Sequence, residues 1–298
     1  MNLWQEYLRP TDLSQAIRAF AQASGPVLPI AGGTDLLLDL EQGRHAPVHT
    51  LLDVTSIVEM NALEARGSEL FIGAAVPVNR LVQSPLVGVH ARALTEACDL
   101  IAGPQVRNVA TLGGNVAHAL PAADGTIALL ALSAQAEVAS SAPGAGDAAP
   151  TLRRVPFKEL FLGPGKSALR HGEELLVGFY LPLSTSHQAS CFQRIMRPQG
   201  VALPIINLAI WLERKEDVIS QIRIAVGPGG PTPWSGTGAE AALTGKPFNE
   251  DTFKVALEAL LGQVGFRSSA RRASADYRRH IVTGLFRDVL ETAWQRAG

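Results

Sequence analysis

Two glycine pairs stand out among the residues able to do chemistry: Gly32-Gly33, in the run from Pro29 to Leu36, and Gly113-Gly114, in the run from Gln105 to Asn115. Each has a hydroxyl and a second polar side chain beside it, Thr34 and Asp35 after the first, Thr111 and Asn115 around the second. A residue without Cβ lets the backbone approach an anion closely, and successive N–H groups can then point at phosphate oxygens. Two such loops can clamp a pyrophosphate from both sides. Either pair can equally be no more than a tight turn, and spacing alone does not separate the two readings.

Other chemistries find little footing. Neither glycine pair fits the GxGxxG dinucleotide fingerprint. Gly163-Pro164-Gly165-Lys166-Ser167 resembles the end of a GxxxxGK[ST] phosphate loop, but Leu160 stands where the first glycine belongs, and Glu173 to Val177 reads as a strand where a helix must follow. The seven histidines form no metal-spaced pair. His118, just past the second glycine pair, reads more readily as a hydrogen-bonded structural residue. No GxSxG nucleophile elbow occurs. The two cysteines, Cys98 and Cys191, cannot supply four thiolates for zinc or an iron–sulfur cluster, so any electron carrier is organic or lies in another chain. With 26 Lys and Arg against 27 Asp and Glu, the formal charge of −1 offers no broad basic surface for nucleic acid. The start lacks a basic and then apolar leader, and no run approaches a membrane span, so no membrane span and a cytoplasmic location are expected.

The elements that must position these residues read as α+β. Thr11-Asp12 can cap a helix over about 12–23, since Leu13, Ala16, Ile17 and Phe20 follow at helical spacing. Val27 to Ile30 predicts a strand that runs into the first glycine turn. Thr34 or Asp35 can then cap a second helix through Leu36, Leu37 and Leu40. Strands are expected at Leu51 to Val54 and Glu69 to Ile72, a helical turn or two at Val78 to Val82 behind Pro77, and a helix from Ala91 to about Ile101. Gly103 to Asn115 follows neither a period of 2 nor of 3.6 and reads as irregular. Residues 139–150, rich in Ala, Ser, Gly and Pro, read as an exposed hairpin loop.

After Pro182 come three strands, Phe192 to Met196, Ile205 to Leu212 and Ile219 to Val226. A polar turn at Glu213 to Asp217 joins the last two, and helices follow over Asp251 to Leu261 and about Ser274 to Arg296. Strands followed by helices suggest a separate α+β unit.

The two glycine runs, together with Tyr7, Pro10, Pro121-Ala122-Ala123-Asp124 and the C-terminal third, resemble the FAD-binding medium subunit of molybdenum hydroxylases over nearly the whole chain. That family includes the flavoprotein subunits of carbon monoxide dehydrogenase and bacterial xanthine dehydrogenase. The resemblance implies a flavin-binding fold of the vanillyl-alcohol oxidase type, with subdomains over 1–58 and 59–181 and a C-terminal α+β domain over 182–298 that carries a small antiparallel sheet and helices. It implies non-covalent FAD held by Ile30, Ala31, Gly32, Gly33, Thr34, Asp35, Leu36, Ile101, Arg107, Thr111, Gly113, Gly114, Asn115, Asp124, Leu169 and Arg194. Backbone donors are expected from Gly32, Gly33 and Gly114, side-chain contacts from Thr111 and Asn115, and an apolar contact to the flavin from Ile101.

Electrostatics limits what Asp124 can do. A carboxylate about 4 Å from a phosphate charge is repelled by about 4 kcal/mol at an effective dielectric of about 20. One ordinary hydrogen bond returns only about 0.5–1.5 kcal/mol. Asp124 is therefore expected to face ribityl or ribose hydroxyls or a backbone N–H, and Asp35 to serve as a helix cap turned from the phosphates. Arg107 and Arg194 are the candidate cations, with Gln193 competing for the position of Arg194; surface ion pairing is the plainer account of both arginines. A cation near the flavin N1 and C2 carbonyl stabilises the anionic reduced ring and raises its potential. Leu120-Pro121 replaces a Ser-Pro or Asp-Pro frequent in the family, so one polar contact is expected to be missing. Two cysteines exclude the extra four-iron cluster of some relatives.

By resemblance, a large molybdopterin subunit oxidises the substrate and a small iron–sulfur subunit with 2Fe-2S clusters passes electrons on. FAD in this chain then hands them to NAD+, oxygen or another acceptor. No protein acid, base or nucleophile is expected to be indispensable. A self-sufficient flavin oxidase or reductase and a flavin-free structural subunit are the alternatives. The hydroxylated substrate belongs to another subunit; an N-heterocycle or aldehyde, xanthine-like purines first, is the expected class.

Overall fold

The computed structural model describes residues 2–141, 149–197, 203–270 and 272–298. A parallel sheet opens it. Strands β1 (Glu6–Leu8), β2 (Val27–Ile30) and β3 (Thr50–Asp53) lie in the order β1-β3-β2. Helix α1 (Leu13–Gln22) precedes β2, and Asp12 caps it by accepting from the Gln15 N–H at 2.8 Å. Helix α2 (Leu36–Glu41) follows β2. The central strand β3 is buried on both faces, whereas β1 at the edge is exposed. Val27 and Leu52 join the main core with Leu13, Ala16 and Ile17 of α1, whereas Ile30 and Leu51 turn the other way, onto Leu40 and Val48.

A five-stranded antiparallel sheet comes next. Its strands are β4 (Leu63–Arg66), β5 (Glu69–Gly73), β6 (Gln135–Ser140), β7 (Thr151–Pro156) and β10 (Glu174–Pro182), in the order β4-β5-β10-β6-β7. Between β5 and β6 run α3 (Val78–Val82), α4 (Pro85–His90), α5 (Arg92–Leu100), α6 (Pro104–Arg107), α7 (Leu112–Ala117) and α8 (Asp124–Ala131). The segment expected to be irregular thus holds two short helices. The second glycine pair lies in the first turn of α7, where Thr111 caps by accepting from Gly114 N–H at 3.1 Å. A single turn of helix is too short for a hydrophobic period to show. Helix α8 is buried nearly all round, so it has no amphipathic stripe to read.

The phosphate-loop look-alike is a two-stranded hairpin, β8 (Phe161–Gly163) and β9 (Lys166–Ser167), turning at Gly165 with φ +70°. Most of the loop expected at 139–150, residues 142–148, lies outside the described residues. On either side of it, Ser140 pairs with Thr151 as β6 and β7 run antiparallel.

The third sheet is antiparallel, β11 (Gln188–Met196), β12 (Pro204–Lys215), β13 (Val218–Gly227) and β14 (Trp234–Ser235) in chain order. Helix α9 (Thr237–Leu243) follows, and then β15 (Lys246–Pro247), which pairs with β13. Helices α10 (Glu250–Gln263) and α11 (Ala275–Arg296) end the chain. One core lies among this sheet and its helices, with Ile206, Leu208 and Ile210 against Val282, Phe286 and Leu290. The opposite face carries Ala209 and Ala225 into the main core beside Ile127 of α8. Alternation along β12 therefore seals two cores at once. Among the described residues no helix is long and apolar enough to cross a membrane, and no group of His, Cys, Asp and Glu could hold a metal.

Candidate functional site

Glycine brings the two motifs into contact. A Cβ on Gly32 would meet the Val109 carbonyl oxygen at 2.0 Å, and one on Gly113 would meet that of Ala74 at 2.5 Å. Gly33 turns the chain at φ +68°, which L side chains rarely adopt. The bends thus lie against one another at the wall of a cleft of about 1140 Å³. This exceeds the usual range of about 300–1,000 Å³ for small-ligand pockets and suits an extended dinucleotide.

Fifteen of the sixteen expected site residues line this cleft: Ile30 to Leu36 in unbroken order, then Ile101, Thr111, Gly113, Gly114, Asn115, Asp124, Leu169 and Arg194. Arg107 does not. Its guanidinium turns inward, where one terminal nitrogen donates to the carbonyls of Asp99 (2.7 Å), Ala102 (3.1 Å) and Ile101 (3.2 Å) and the other pairs with the Asp99 carboxylate at 3.5 Å. These carbonyls belong to the end of α5, which Arg107 closes as a cation at a helix C-terminus does.

The two motifs offer different groups. The backbone N–H groups of Gly32, Gly33, Thr34 and Asp35 have no partner among the described residues. In the second motif, Gly113 N–H donates to Ala74 O at 2.9 Å and Gly114 N–H to Thr111 Oγ1 at 3.1 Å. The expected backbone donor at Gly114 is therefore already engaged, because an N-capped turn satisfies its own amides. What the second motif presents is side chains. Among the described residues the Thr111 hydroxyl keeps its hydrogen free to donate, and Asn115 Oδ1 is buried with no partner. A buried amide oxygen without a donor is costly, and a ligand hydroxyl or N–H would satisfy it.

Asp35 holds the N-cap position of α2, but its side chain makes no cap hydrogen bond, since its backbone is already helical at φ −99°, ψ −46°. His118 lines the cleft, and its ring has no hydrogen-bond partner among the described residues, contrary to the structural role expected for it.

Asp124 opens α8, where a carboxylate favours the helix dipole. Its Oδ2 accepts from Arg194 on β11, and its Oδ1 accepts from Asn207 Nδ2 on β12 at 2.6 Å. Both carboxylate oxygens therefore meet protein side chains, where ligand hydroxyls or a backbone N–H were expected. Burial pushes the Asp124 carboxyl up, against the opposing pull of Arg194 and Asn207. Arg194 is neither a surface ion pair nor a free cation: its side chain is 6% exposed and its charge is matched by Asp124. Its Nε is buried and has no partner among the described residues. Arg194 lines the cleft and Gln193 does not, so the strand's alternation settles which of the two faces the site.

Sequence reasoning missed a further part of the lining, Arg267, Arg272 and Arg278 with Ser268 and Ser269. The density of arginines between 267 and 279 was the available signal.

Comparison with known proteins agrees with this geometry. Residues 3–184 match the family described as the FAD binding domain in molybdopterin dehydrogenase, and residues 190–293 match the CO dehydrogenase flavoprotein C-terminal domain. The xanthine dehydrogenase FAD-binding subunit of Escherichia coli O157:H7 is 30% identical, over 98% of this chain and 97% of its own length. The carbon monoxide dehydrogenase medium chain of Hydrogenophaga pseudoflava is 28% identical, over 98% and 97%. Among solved structures, carbon monoxide dehydrogenase from Hydrogenophaga pseudoflava superposes with a TM-score of 0.89 at 28% identity, covering 99% of this chain and 98% of that one. Quinoline 2-oxidoreductase from Pseudomonas putida 86 gives 0.86 at 26% identity, covering 98% of each chain. The chain is an α+β flavoprotein and belongs to the FAD-binding medium subunits of the molybdenum hydroxylase family.

Proposed function

We propose that this chain carries FAD as the electron outlet of a heteromeric molybdenum hydroxylase. In this reading a large molybdopterin subunit oxidises a xanthine-like purine or related substrate. A small subunit with 2Fe-2S clusters delivers the electrons, and NAD+ or another acceptor receives them. The chain divides for this task into 1–58 and 59–181, which hold the cofactor, and 182–298, which closes over it. The row of unpartnered N–H groups from Gly32 to Asp35, facing a cleft that also holds the unsatisfied Asn115 Oδ1, is the observation that supports it best.

FAD, when bound, supplies the exchange between one-electron and two-electron chemistry that no side chain offers. The residues bind and orient. Gly32 to Asp35 would donate backbone N–H groups to the pyrophosphate; Thr111 and Asn115 would take neighbouring polar groups. Ile101 and Leu169 would pack on apolar parts, and the Asp124–Arg194 pair would present a nearly neutral polar edge.

The test is isolation of the native complex, identification of its chains, and release of flavin by denaturation. One FAD per chain, with two partner subunits and flavin reduced by the hydroxylated substrate only when all three are present, is the expected result. Oxidation of an organic substrate by the isolated chain would replace this reading with a self-sufficient oxidase. No FAD after reconstitution would replace it with a structural subunit.

A further inference from the structure

A second cavity, of about 360 Å³, opens where the five-stranded sheet meets the third sheet. Leu130 of α8 and Phe157 and Lys158, in the turn after β7, line one side; Arg223 of β13, Ser235 of β14 and Glu240 of α9 line the other. Asp124, which lines the cofactor cleft, and Leu130 stand at opposite ends of α8, about 9 Å apart along the helix axis. The two spaces are therefore distinct.

Arg223 brings an unanswered charge to this cavity. It lies across from Trp211 on β12, with its Cζ 4.4 Å from the indole centroid. Alternation along β13 puts it on the face that Ala225 carries into the main core, so it is half-buried at the seam. A cation–π contact needs none of the guanidinium's five N–H donors. Among the described residues those donors have no hydrogen-bond partner and no paired carboxylate. The nearby Glu240 instead accepts from the Ile224 N–H at 2.7 Å. Burial pushes Arg223 down and Glu240 up, the pattern of two charges that desolvation costs more than their mutual attraction returns. Lys158 has no paired carboxylate among the described residues either. Arg223 and Lys158 against Glu240 leave one positive charge over.

We propose that this cavity binds a small organic monocarboxylate, with its carboxylate on Arg223 and Lys158 and its apolar body on Leu130 and Phe157. One negative charge cancels the excess, whereas a phosphate dianion would exceed it and face Glu240. A guanidinium edge pairs with both oxygens of a carboxylate. The volume lies near the lower end of the range of about 300–1,000 Å³ for ligand pockets. An occupant would bridge the two sheets and raise the melting temperature by mass action. None of this depends on what fills the larger cleft.

The experiment titrates the full chain with benzoate and with its neutral counterpart benzamide, followed by calorimetry and by the indole N–H resonances. Benzoate should bind, and should shift the Trp211 resonance, assigned by its loss in W211F, but not that of Trp4, which packs by the first glycine turn. Benzamide should bind roughly tenfold more weakly or worse, as loss of a charge-assisted contact implies. R223Q should lose as much affinity for benzoate, R223K should recover part of it, and K158Q, an exposed change, should weaken binding severalfold.

A Trp211 resonance that benzoate leaves unmoved overturns the site, as does equal affinity for benzamide or an unchanged affinity in R223Q. Displacement of benzoate by inorganic phosphate overturns the carboxylate class. Should R223Q fail to fold, the benzamide comparison in the wild type and the K158Q titration decide the matter: equal binding in both sinks the proposal, and weakened binding in both upholds it.

Discussion

The carboxylate of Asp124 ties together elements far apart in the chain, because its two oxygens take donors from β11 and β12 while its backbone opens α8. Breaking a buried pair from one side leaves an uncompensated charge and costs about 3–5 kcal/mol, whereas removing both partners can be nearly neutral. Urea unfolding of the FAD-free chain should therefore show D124N and R194M each destabilised by that amount, and the D124N/R194M double variant by less than either. Additive losses would show that the two side chains do not act as a pair.

Glu174 makes a different residue-scale case. Burial pushes its carboxyl up, but hydrogen bonds from the Arg170 backbone N–H and from the Arg153 and Arg170 side chains pull it further down, so its net shift is below the ordinary 4.5. A depressed folded-state pKa gives stability that is present above the unfolded value and lost as pH falls through the folded one. The melting temperature should fall below about pH 4.5. E174Q should lie lower at neutral pH and show a shallower acid limb. Parallel acid limbs for the two proteins would remove Glu174 from the account.

At the scale of elements, the glycines of the two motifs do unequal work. Gly32 is required by the approach of Val109, so G32A must force the two motifs apart. Such overpacking costs about 1–3 kcal/mol or more, and G32A should lose both stability and FAD. A methyl on Gly114 would meet only Thr111 Oγ1, at 3.3 Å, and this glycine lies in a helix, where Ala is favoured over Gly by up to about 1 kcal/mol. G114A should fold at least as well as wild type, so any loss of FAD would report a close approach of ligand at that position. Thermal unfolding and flavin content, measured on both variants, separate the two roles. The sequence displayed four glycines in two equal pairs. Nothing in it distinguished a glycine required by backbone packing from one in open space, since that depends on a chain segment some eighty residues away. Elements with a full period, such as α1, α11 and β11 to β13, were legible from their residues. The single-turn helices α6 and α7, and the evenly apolar α8, carried no period to read.

For the molecule as a whole, the resemblance named many of the residues that line the cleft, and tertiary pairing hid how they are engaged. Arg194 and Asp124 were both visible as candidates, yet only the fold pairs them; Arg107 had the right type and place in sequence but closes a helix end. The outer face of the parallel sheet rests on a small core of Ile30, Leu40, Val48 and Leu51, whereas its inner face joins the main core. Residues 30–36 run from that outer face directly into the cleft wall. Ligand bound there stabilises the folded state by mass action, about 2.7 kcal/mol at a hundredfold excess over Kd. Local opening concentrates where few apolar contacts oppose it. Removal of FAD should therefore raise backbone hydrogen exchange most in α2 and the turn before it, less in β2 and β3, and least in β12 and β13, whose side chains seal two cores. Exchange followed by mass spectrometry on FAD-loaded and FAD-stripped chain would show this gradient. A uniform rise along the chain would instead mean that the cofactor stabilises the fold only globally, with no local dependence of the glycine turn on its ligand.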